Sequence, residues 1–277
     1  MGDTEESRVH SLSKGPAPLQ RQHLDKVIDF SVSLVIPCYN EAPRLDRTVR
    51  EVAAYCQRFT HPFQIVLVDD GSTDATAELI TEAAKAHSFV LPVLLPENRG
   101  KGAALVHGVL ASNGEAVVFF DADLSYPLDT LDAALQELRS GADIVIGARD
   151  LGSKSGAAGN NTFIRGLSHV AFSAMVDHYL HLGIPDTQCG FKAFKGSVAR
   201  ALFACLTIER FAFDVELLAL ARLWGLAIRR LPVVAIQRDG SSVRMVRDSI
   251  GMWLAVIQIR RRLRAGAYPA SQPVVSG

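Results

Sequence analysis

The chain has 277 residues, of which 48% are hydrophobic and 21% are charged, so it is long enough to bury a substantial core and is not a disordered chain. Its 29 lysines and arginines balance its 29 aspartates and glutamates, which excludes a global basic field, and we expect no nucleic-acid partner. The four cysteines are widely spaced without a CxxC pair, which favours reduced thiols in a cytoplasmic protein over a zinc site or a disulfide framework.

The start of the chain differs from the rest in composition. Residues 1–30 are polar and show no sustained apolar periodicity, so we expect a flexible leader there. The leader lacks the apolar core of a secretory signal. Nowhere does the sequence contain about 18 consecutive apolar residues, so we expect no helix that spans a membrane.

From Ser31 onward, short apolar runs alternate with amphipathic segments. The apolar runs predict strands at residues 31–37, 64–68, 90–95, 116–120, 143–149 and 228–236. Helical spacing of apolar residues predicts helices near 45–59, 75–86, 98–112, 128–139, 162–182 and 213–225. This alternation predicts an α/β fold, with a mixed, mostly parallel sheet flanked by helices on both faces, as a single domain over residues 31–247.

One segment of this domain carries no packing signal. Residues 152–161 are small and polar, and we interpret them as a loop over a binding site that becomes ordered when substrates bind.

Four aspartates follow predicted strands of the sheet. Asp69 and Asp70 come after the strand at 64–68, and Asp121 and Asp123 come after the strand at 116–120. Ligands of such sheets bind at the carboxyl ends of the strands, and carboxylate oxygens suit Mg²⁺ or Mn²⁺. Four acids at one edge also repel one another unless a cation or a donor-rich ligand is present. On these residues alone, solvated loop acids remain the alternative.

Several motifs resemble the family 2 glycosyltransferases of the Rossmann-like GT-A fold. They are PCYNE at 37–41, VDDGSTD at 68–74, NRGKG at 98–102 and DAD at 121–123. Two later motifs, DTQCGFK at 186–192 and FDVELL at 213–218, are similar to the dolichyl- and polyprenyl-phosphate sugar synthases. The stretch ERFAFD at 209–214 looks closest to their β-glucosyltransferase branch. The resemblance covers about residues 31–250.

This resemblance implies a nucleotide-sugar site. Tyr39 would pack near the base, Glu41 would accept hydrogen bonds from the ribose, and Asp69 would accept one from uracil. Core packing is the alternative for Tyr39, and a solvated surface position is the alternative for Lys101. The implied nucleotide-sugar contacts are Pro37, Tyr39, Glu41, Asp69, Asp70, Lys101, Asp121, Ala122, Asp123, Asp186, Gln188 and Gly190.

The resemblance also implies a metal ion. Asp121 and Asp123 would coordinate Mg²⁺ or Mn²⁺, which would neutralise the diphosphate leaving group. Mannosyl relatives carry a glutamine two residues after the second aspartate, whereas this chain has Ser125 there, so the third protein ligand is open.

Three arginines are implied at the phosphate of the acceptor, because a guanidinium group suits phosphate oxygens. They are Arg149, Arg165 and Arg244. Relatives often carry a lysine where this chain has Ser242, and Arg244, two residues later, would compensate for it. A solvated helix face is the alternative for Arg165.

The motif DTQCGFK resembles the sugar-binding part of the family site, with turn formation as the alternative role of Asp186 and Gln188. Asp214 and Glu216 lie two residues apart on a predicted helix and face different directions, and we favour Asp214 for the site. Asp214 would orient the acceptor or act as base, beside Asp123 and Arg149 as the catalytic set. Because a phosphate acceptor is already ionised near neutral pH, we expect positioning and charge balance to supply most of the rate.

The last third of the chain is basic. Between residues 222 and 264 there are ten arginines and two acids. The apolar run IGMWLAVIQI is followed by RRRLR, which predicts an amphipathic helix over 248–265 lying on anionic lipid, with a disordered tail over 266–277. A core helix with a solvated arginine cluster is the alternative.

The resemblance implies a metal-dependent, inverting enzyme, and the basic C-terminal segment predicts its peripheral attachment to the cytoplasmic face of the cell membrane. It would move glucose from UDP-glucose to a polyprenyl phosphate and form polyprenyl-phosphate β-glucose. Three alternatives stay open: a polyprenyl-phosphate mannosyltransferase that uses GDP-mannose, an enzyme with a soluble phosphorylated acceptor, and a catalytically silent module that binds nucleotide sugars or membranes.

Overall fold

A computed structural model of the protein describes residues 30–58, 61–152, 172–236 and 245–272, with only the backbone described for 245–250. Most of the predicted leader, residues 153–161 of the predicted loop, Arg165 and Arg244 lie outside these residues.

Within the described residues, seven strands form one sheet. They are β1 (Val32–Cys38), β2 (Phe63–Asp69), β3 (Val90–Leu94), β4 (Ala116–Phe119), β5 (Ile144–Ala148), β6 (Lys192–Lys195) and β7 (Ile228–Pro232). Their order is β3-β2-β1-β4-β6-β5-β7. Strand β6 is antiparallel to both β4 and β5, and the other neighbouring strands are parallel. The predicted mixed, mostly parallel sheet is confirmed.

Helices cover both faces of this sheet. The described helices are α1 (Ala42–Cys56), α2 (Thr76–Ala86), α3 (Lys101–Ala111), α4 (Thr130–Arg139), α5 (Arg149–Gly152), α6 (residues 172–180), α7 (Gly196–Ala204), α8 (Phe213–Leu223) and α9 (Met245–Arg264). No helix in this part of the chain is long and apolar enough to cross a membrane.

The core lies in two layers, one on each face of the sheet, because strand side chains alternate in direction. In β1, Leu34 and Ile36 pack with the layer under α1, α2 and α4, whereas Val35 packs with the layer under α3, α7 and α8. The four cysteines are free, and three of them are buried.

Strand β6 and helix α7 were not predicted from the sequence. The four residues of β6 read KAFK, which is not an apolar run. The strand forms because β4 and β5 both pair with it, so that Lys192 lies opposite Phe119 on one side and Ile146 on the other. Tertiary pairing therefore overrides a weak local preference here.

Helix α9 packs one face on the domain and leaves the other exposed. Val256 and Ile259 are completely buried in the core layer next to α8, whereas Trp253 is 45% exposed and Leu254 63% exposed. One face of α9 is therefore that of a core helix. The other face leaves apolar side chains uncovered, as expected for an amphipathic helix that lies on lipid.

The predicted disordered tail is wrong for the first residues after α9. Gly266, with φ of +63°, turns the chain at the end of the helix through a hydrogen bond from its N–H to the Leu263 carbonyl. Tyr268 is then buried, and the Trp224 indole N–H donates to the Pro269 carbonyl at 2.8 Å.

Candidate active site

The predicted site residues come together at one edge of the sheet. Strands β1, β2, β4 and β5 all end at this edge, and β6, being antiparallel, begins there. The segments placed at this edge are residues 39–41, 69–70, 121–123, 149 and 186–190.

The turns that follow β1 and β2 hold each other in place. Asn40 adopts a left-handed conformation, with φ of 55°, and its side-chain oxygen accepts the Thr73 N–H at 2.9 Å. In return, the Asn40 N–H donates to the Ser72 hydroxyl, and the buried Asp69 accepts the Ser72 N–H at 3.1 Å. Tyr39 is 45% exposed, so it does not serve as core packing. Pro37 lies two residues earlier, within β1.

Glu41 lies within electrostatic reach of the acids at the end of β4. Its carboxylate forms an ion pair with Arg44 at 2.8 Å. Burial raises the pKa of Glu41, Arg44 opposes this shift, and the negative charges of Asp123 and Asp121 add to it. Glu41 therefore shares the negative electrostatic environment of Asp121 and Asp123.

Asp70 organises the glycine turn at residues 98–102. Its two carboxylate oxygens accept the N–H groups of Arg99 (2.9 Å) and Gly100 (2.8 Å), together with the side-chain amide of Asn98 (3.0 Å). Burial raises the pKa of Asp70, and these backbone donors oppose the shift. Asp70 was predicted to contact the nucleotide, and in the structure its carboxylate is engaged by this turn.

Lys101 is the first residue of α3 and points into the site. Its ammonium group donates to Asp121 at 2.5 Å, and its side chain is 20% exposed, which contradicts a solvated surface position. Burial alone would lower the pKa of Lys101, but the Asp121 and Asp214 carboxylates outweigh that effect and raise it. Lys101 therefore keeps its positive charge.

Asp121 and Asp123 flank a firmly held backbone. The Thr48 hydroxyl of α1 donates to the Ala122 carbonyl at 2.7 Å, and Asp123 accepts the Ser125 N–H at 2.9 Å. A Cβ atom at Gly190 would lie 2.2 Å from an Asp121 carboxylate oxygen. Glycine at 190 is therefore what gives the Asp121 carboxylate its space.

The donor set fits a hard divalent cation. Asp121 and Asp123 offer carboxylate oxygens, the ligand type that Mg²⁺ and Mn²⁺ prefer. Among the residues that the structure describes, no group of three or more His, Cys, Asp or Glu side chains is placed to hold a metal. Asp121 and Asp123 would hold such an ion, and water commonly fills much of the coordination shell of Mg²⁺.

A buried ion pair lies directly behind these acids. The Lys192 ammonium, completely buried in β6, donates to Asp214 at 2.5 Å and to the Cys189 carbonyl at 2.9 Å. Burial raises the pKa of Asp214, and the positive charges of Lys192 and Lys101 oppose this shift without cancelling it. Positive and negative groups thus alternate from Asp121 through Lys101 and Asp214 to Lys192.

Arg149 is fixed by Asp186 on the other side of the site. The Arg149 guanidinium donates through Nε (2.8 Å) and Nη2 (2.7 Å) to the two oxygens of the buried Asp186, which also accepts the Arg149 N–H. These hydrogen bonds raise the pKa of Arg149. Asp186 was predicted to bind the sugar, and its carboxylate instead orients an arginine whose side chain is 37% exposed.

The remaining predicted residues do not all meet here. Gln188 faces α9, with its side-chain nitrogen 4.0 Å from the Met252 sulfur. Arg165 and Arg244 lie outside the described residues. Asp214 and Glu216 face different directions, as expected from their spacing on a helix, because they have separate partners.

Lys192 is the last residue of the motif DTQCGFK, and the sequence indicated no role for it. The sequence around it, a lysine followed by two apolar residues, does not indicate a buried strand. The burial of Lys192 becomes visible only when β6 is paired in the sheet. The Arg99–Glu209 ion pair across the glycine turn was also missed, because its members are far apart in the sequence.

Known proteins share both this sequence pattern and this fold. Residues 33–203 match the family model "Glycosyl transferase family 2". The chain is 32% identical to a dolichyl-phosphate beta-glucosyltransferase of Trichomonas vaginalis, over 91% of this chain and 79% of the relative. It is 31% identical to the dolichyl-phosphate beta-glucosyltransferase of Homo sapiens, over 97% of this chain and 86% of the relative.

Among solved structures, the fold matches glucosyl-3-phosphoglycerate synthase from Mycobacterium tuberculosis in complex with Mn²⁺, UDP and glucosyl-3-phosphoglycerate. The TM-score is 0.58 at 20% identity, covering 86% of this chain and 81% of that chain. At this identity the match shows the GT-A fold alone. Because the family model matches more than half of this chain and these relatives are more than 30% identical to it, the chain belongs to glycosyl transferase family 2.

Proposed function

We propose that this glycosyltransferase moves glucose from UDP-glucose to a polyprenyl phosphate and forms a β-linked polyprenyl-phosphate glucose at the cytoplasmic face of a membrane. The observation that carries the proposal is the contact of the Lys101 ammonium with Asp121, the first acid of the DAD motif, beside which Gly190 leaves room. The relatives named dolichyl-phosphate beta-glucosyltransferase support the sugar and the lipid class of the acceptor.

The reaction is one displacement at the anomeric carbon. An oxygen of the lipid phosphate forms a bond to this carbon as the bond from the carbon to the diphosphate breaks, and the electron pair leaves with UDP. The configuration is therefore inverted. The acceptor phosphate is already ionised near neutral pH, so it needs little help from a base.

The protein side chains supply position and charge for this step. Asp121 and Asp123 would hold Mg²⁺ or Mn²⁺, which stabilises negative charge on the departing diphosphate when bound. The Lys101 ammonium lies beside the Asp121 carboxylate and would act on the same charge of the diphosphate. Arg149, held by Asp186, would present its guanidinium group to the acceptor phosphate. The Asp214 carboxylate would offset the positive charges of Lys101 and Lys192.

The exposed face of α9 supports contact with the lipid that carries the acceptor. Trp253 and Leu254 are exposed, and Arg261 and Arg264 are exposed about two to three turns further along. An apolar patch followed by arginines suits the interface of an anionic membrane. This face, together with the acceptor class, is our basis for peripheral membrane attachment.

The donor and the acceptor are tested together by measuring nucleotide release. UDP-glucose and GDP-mannose would each be offered with Mn²⁺ or Mg²⁺, with and without a short polyprenyl phosphate. We expect UDP release that depends on both the metal and the lipid. Release of GDP from GDP-mannose would contradict UDP-glucose as the donor. Release of UDP without lipid would contradict a polyprenyl phosphate as the acceptor.

Asp123→Asn provides the matching test of the site. The amide keeps the shape of the side chain but loses the negative charge that the metal needs, so we expect kcat to fall at least 100-fold, about 3 kcal/mol. Asp46→Asn is the control, because Asp46 lies on the solvent side of α1 with its side chain 73% exposed. Equal activity in Asp123→Asn and wild type would remove Asp123 from the site.

A further inference from the structure

Glu216 is a completely buried carboxylate to which the proposed reaction gives no role. Four donors converge on it. They are the N–H groups of Thr207 (2.9 Å) and Ile208 (2.8 Å) and the hydroxyls of Thr207 (2.6 Å) and Tyr268 (2.6 Å). Because a buried carboxylate is costly unless its oxygens are hydrogen-bonded, this arrangement fixes the chain at residues 207–208 firmly to α8.

Tyr268 brings the end of the chain to this carboxylate. It follows the turn at Gly266, and its ring is buried against the core layer beneath α8 and α9. Burial raises the pKa of Tyr268, and the neighbouring Glu216 raises it further, so the hydroxyl stays protonated and donates. Tyr268 lies well beyond residues 33–203, the part that matches the family model.

The segment held by Glu216 packs against the glycine turn that carries Lys101. We call residues 207–210 the clamp segment. The Ala103 N–H donates to the Glu209 carbonyl at 3.0 Å, and Arg99 forms an ion pair with the Glu209 side chain. The contact is close, because a Cβ atom at Gly102 would lie 2.7 Å from the Ile208 carbonyl oxygen.

We propose that Glu216 and Tyr268 are positioning residues for the nucleotide-sugar site. They hold the clamp segment against the turn at 98–102, and the turn in turn directs Lys101 to Asp121. Neither residue touches the substrate. The assignment of Lys101 to the diphosphate rests on the proposed function, whereas the mechanical link from Tyr268 to the turn does not.

Hydrogen–deuterium exchange of the full-length protein without ligands tests the link itself. Tyr268→Phe removes one of the four donors and keeps the ring, so the fold is retained. We expect the amides of residues 98–104, Ala103 above all, to exchange about 3- to 10-fold faster in this variant. Trp224→Phe is the matched control, because it removes a different hydrogen bond of the tail, the one to the Pro269 carbonyl, without reaching Glu216.

Glu216→Gln separates position from charge. Its amide oxygen can accept from the two backbone N–H groups while its NH₂ group donates to the hydroxyls of Thr207 and Tyr268, which can rotate to accept. A positioning role therefore predicts near wild-type exchange at residues 98–104 in this variant. Exchange that is unchanged in Tyr268→Phe, or equally fast in Trp224→Phe and Tyr268→Phe, would overturn the inference.

Kinetics then connects the link to the site. For Tyr268→Phe we expect KM for the nucleotide sugar to rise about 3- to 10-fold while KM for the acceptor stays unchanged. An equal rise in both KM values would contradict a role at the nucleotide side. If wild type turned over no nucleotide sugar, the proposed function would fail, and the exchange experiment would still decide the inference.

Discussion

At the scale of single residues, the site is shaped by space as much as by charge. Gly190 contributes no side chain, and its role is visible only through what a Cβ atom would meet, the Asp121 carboxylate at 2.2 Å. The motif that contains Gly190 was recognised in the sequence. The reason for glycine at this position required the antiparallel entry of β6, which places residue 190 beside a residue about 70 positions earlier in the chain.

Gly190→Ala is expected to weaken metal binding without unfolding the protein. The obstructed atom is the end of the Asp121 side chain, so this side chain would rotate away while the backbone stays in place. We expect the affinity for Mn²⁺ in the presence of UDP to fall about tenfold or more. Titration calorimetry measures it, and thermal unfolding checks the fold.

Gly251→Ala serves as the control for that substitution. Gly251 lies in α9, where a new Cβ atom would meet nothing within 4 Å. Alanine should therefore stabilise the helix by about 0.5–1 kcal/mol and leave Mn²⁺ affinity unchanged. Equal Mn²⁺ affinity in Gly190→Ala and wild type would show that residue 190 has no role at the metal carboxylates.

At the scale of elements, the parts that were predicted and the parts that were missed have a common explanation. Strands β1, β2 and β4 are local apolar runs that a sequence pattern reveals. The Asp121 carboxylate could be placed in advance because it follows such a run. The ion pairs Lys192–Asp214 and Arg149–Asp186 join residues 22 and 37 positions apart, and no periodicity indicates a partner at such distances.

The start of β5 supplies a testable link between elements. Asp143 accepts from the Lys195 ammonium at 2.8 Å and from the Ala227 N–H at 2.9 Å, which ties β5 to β6 and to the start of β7. Burial would raise the pKa of Asp143, but these two donors outweigh it and lower the pKa below its usual value. The ionised carboxylate therefore stabilises the fold above the unfolded-state pKa, and this contribution is lost as the pH falls through the folded-state pKa.

Asp143→Asn should lower the free energy of unfolding by about 1 kcal/mol at pH 7, because Lys195 is partly exposed and its ion pair is screened. As the pH falls below the usual aspartate range near 3.8, the difference from wild type should shrink toward zero. Urea unfolding at a series of pH values measures the difference. A difference that grows toward acid pH would contradict the assigned sign.

At the scale of the whole molecule, charge and apolar surface are unevenly distributed. The chain has no net charge, yet ten arginines lie between residues 222 and 264. On α9 the core-facing side includes Val256 and Ile259, while Trp253 and Leu254 remain on the outside. The sequence indicated an amphipathic helix here, and only the packed structure shows which apolar residues the domain does not cover.

The double variant Trp253→Ser, Leu254→Ser is expected to bind anionic vesicles more weakly. Burying each of these side chains in the interface contributes roughly 1.5–3 kcal/mol, so we expect the partition coefficient to fall at least tenfold. Sedimentation with phosphatidylserine vesicles at low salt measures it. Leu110→Ser is the control, since Leu110 is as exposed as Trp253, at 45%, on a different helix. Wild-type protein that stayed in the supernatant would remove membrane attachment through α9.

The antiparallel strand β6 has a consequence for the order in which the molecule can be assembled. β4 and β5 follow each other in the chain but are not neighbours in the sheet, and β6 lies between them. Until residue 195 has been synthesised, the position of β6 between them is empty, and two strand spacings, about 10 Å, would separate β4 from β5. The edge of β4 is then unpaired. A nascent chain released before that point would carry every acid of the DAD motif and still present an open sheet edge to its neighbours. The ribosome must therefore deliver about two thirds of the protein before the catalytic edge can close and before self-association through β4 is blocked.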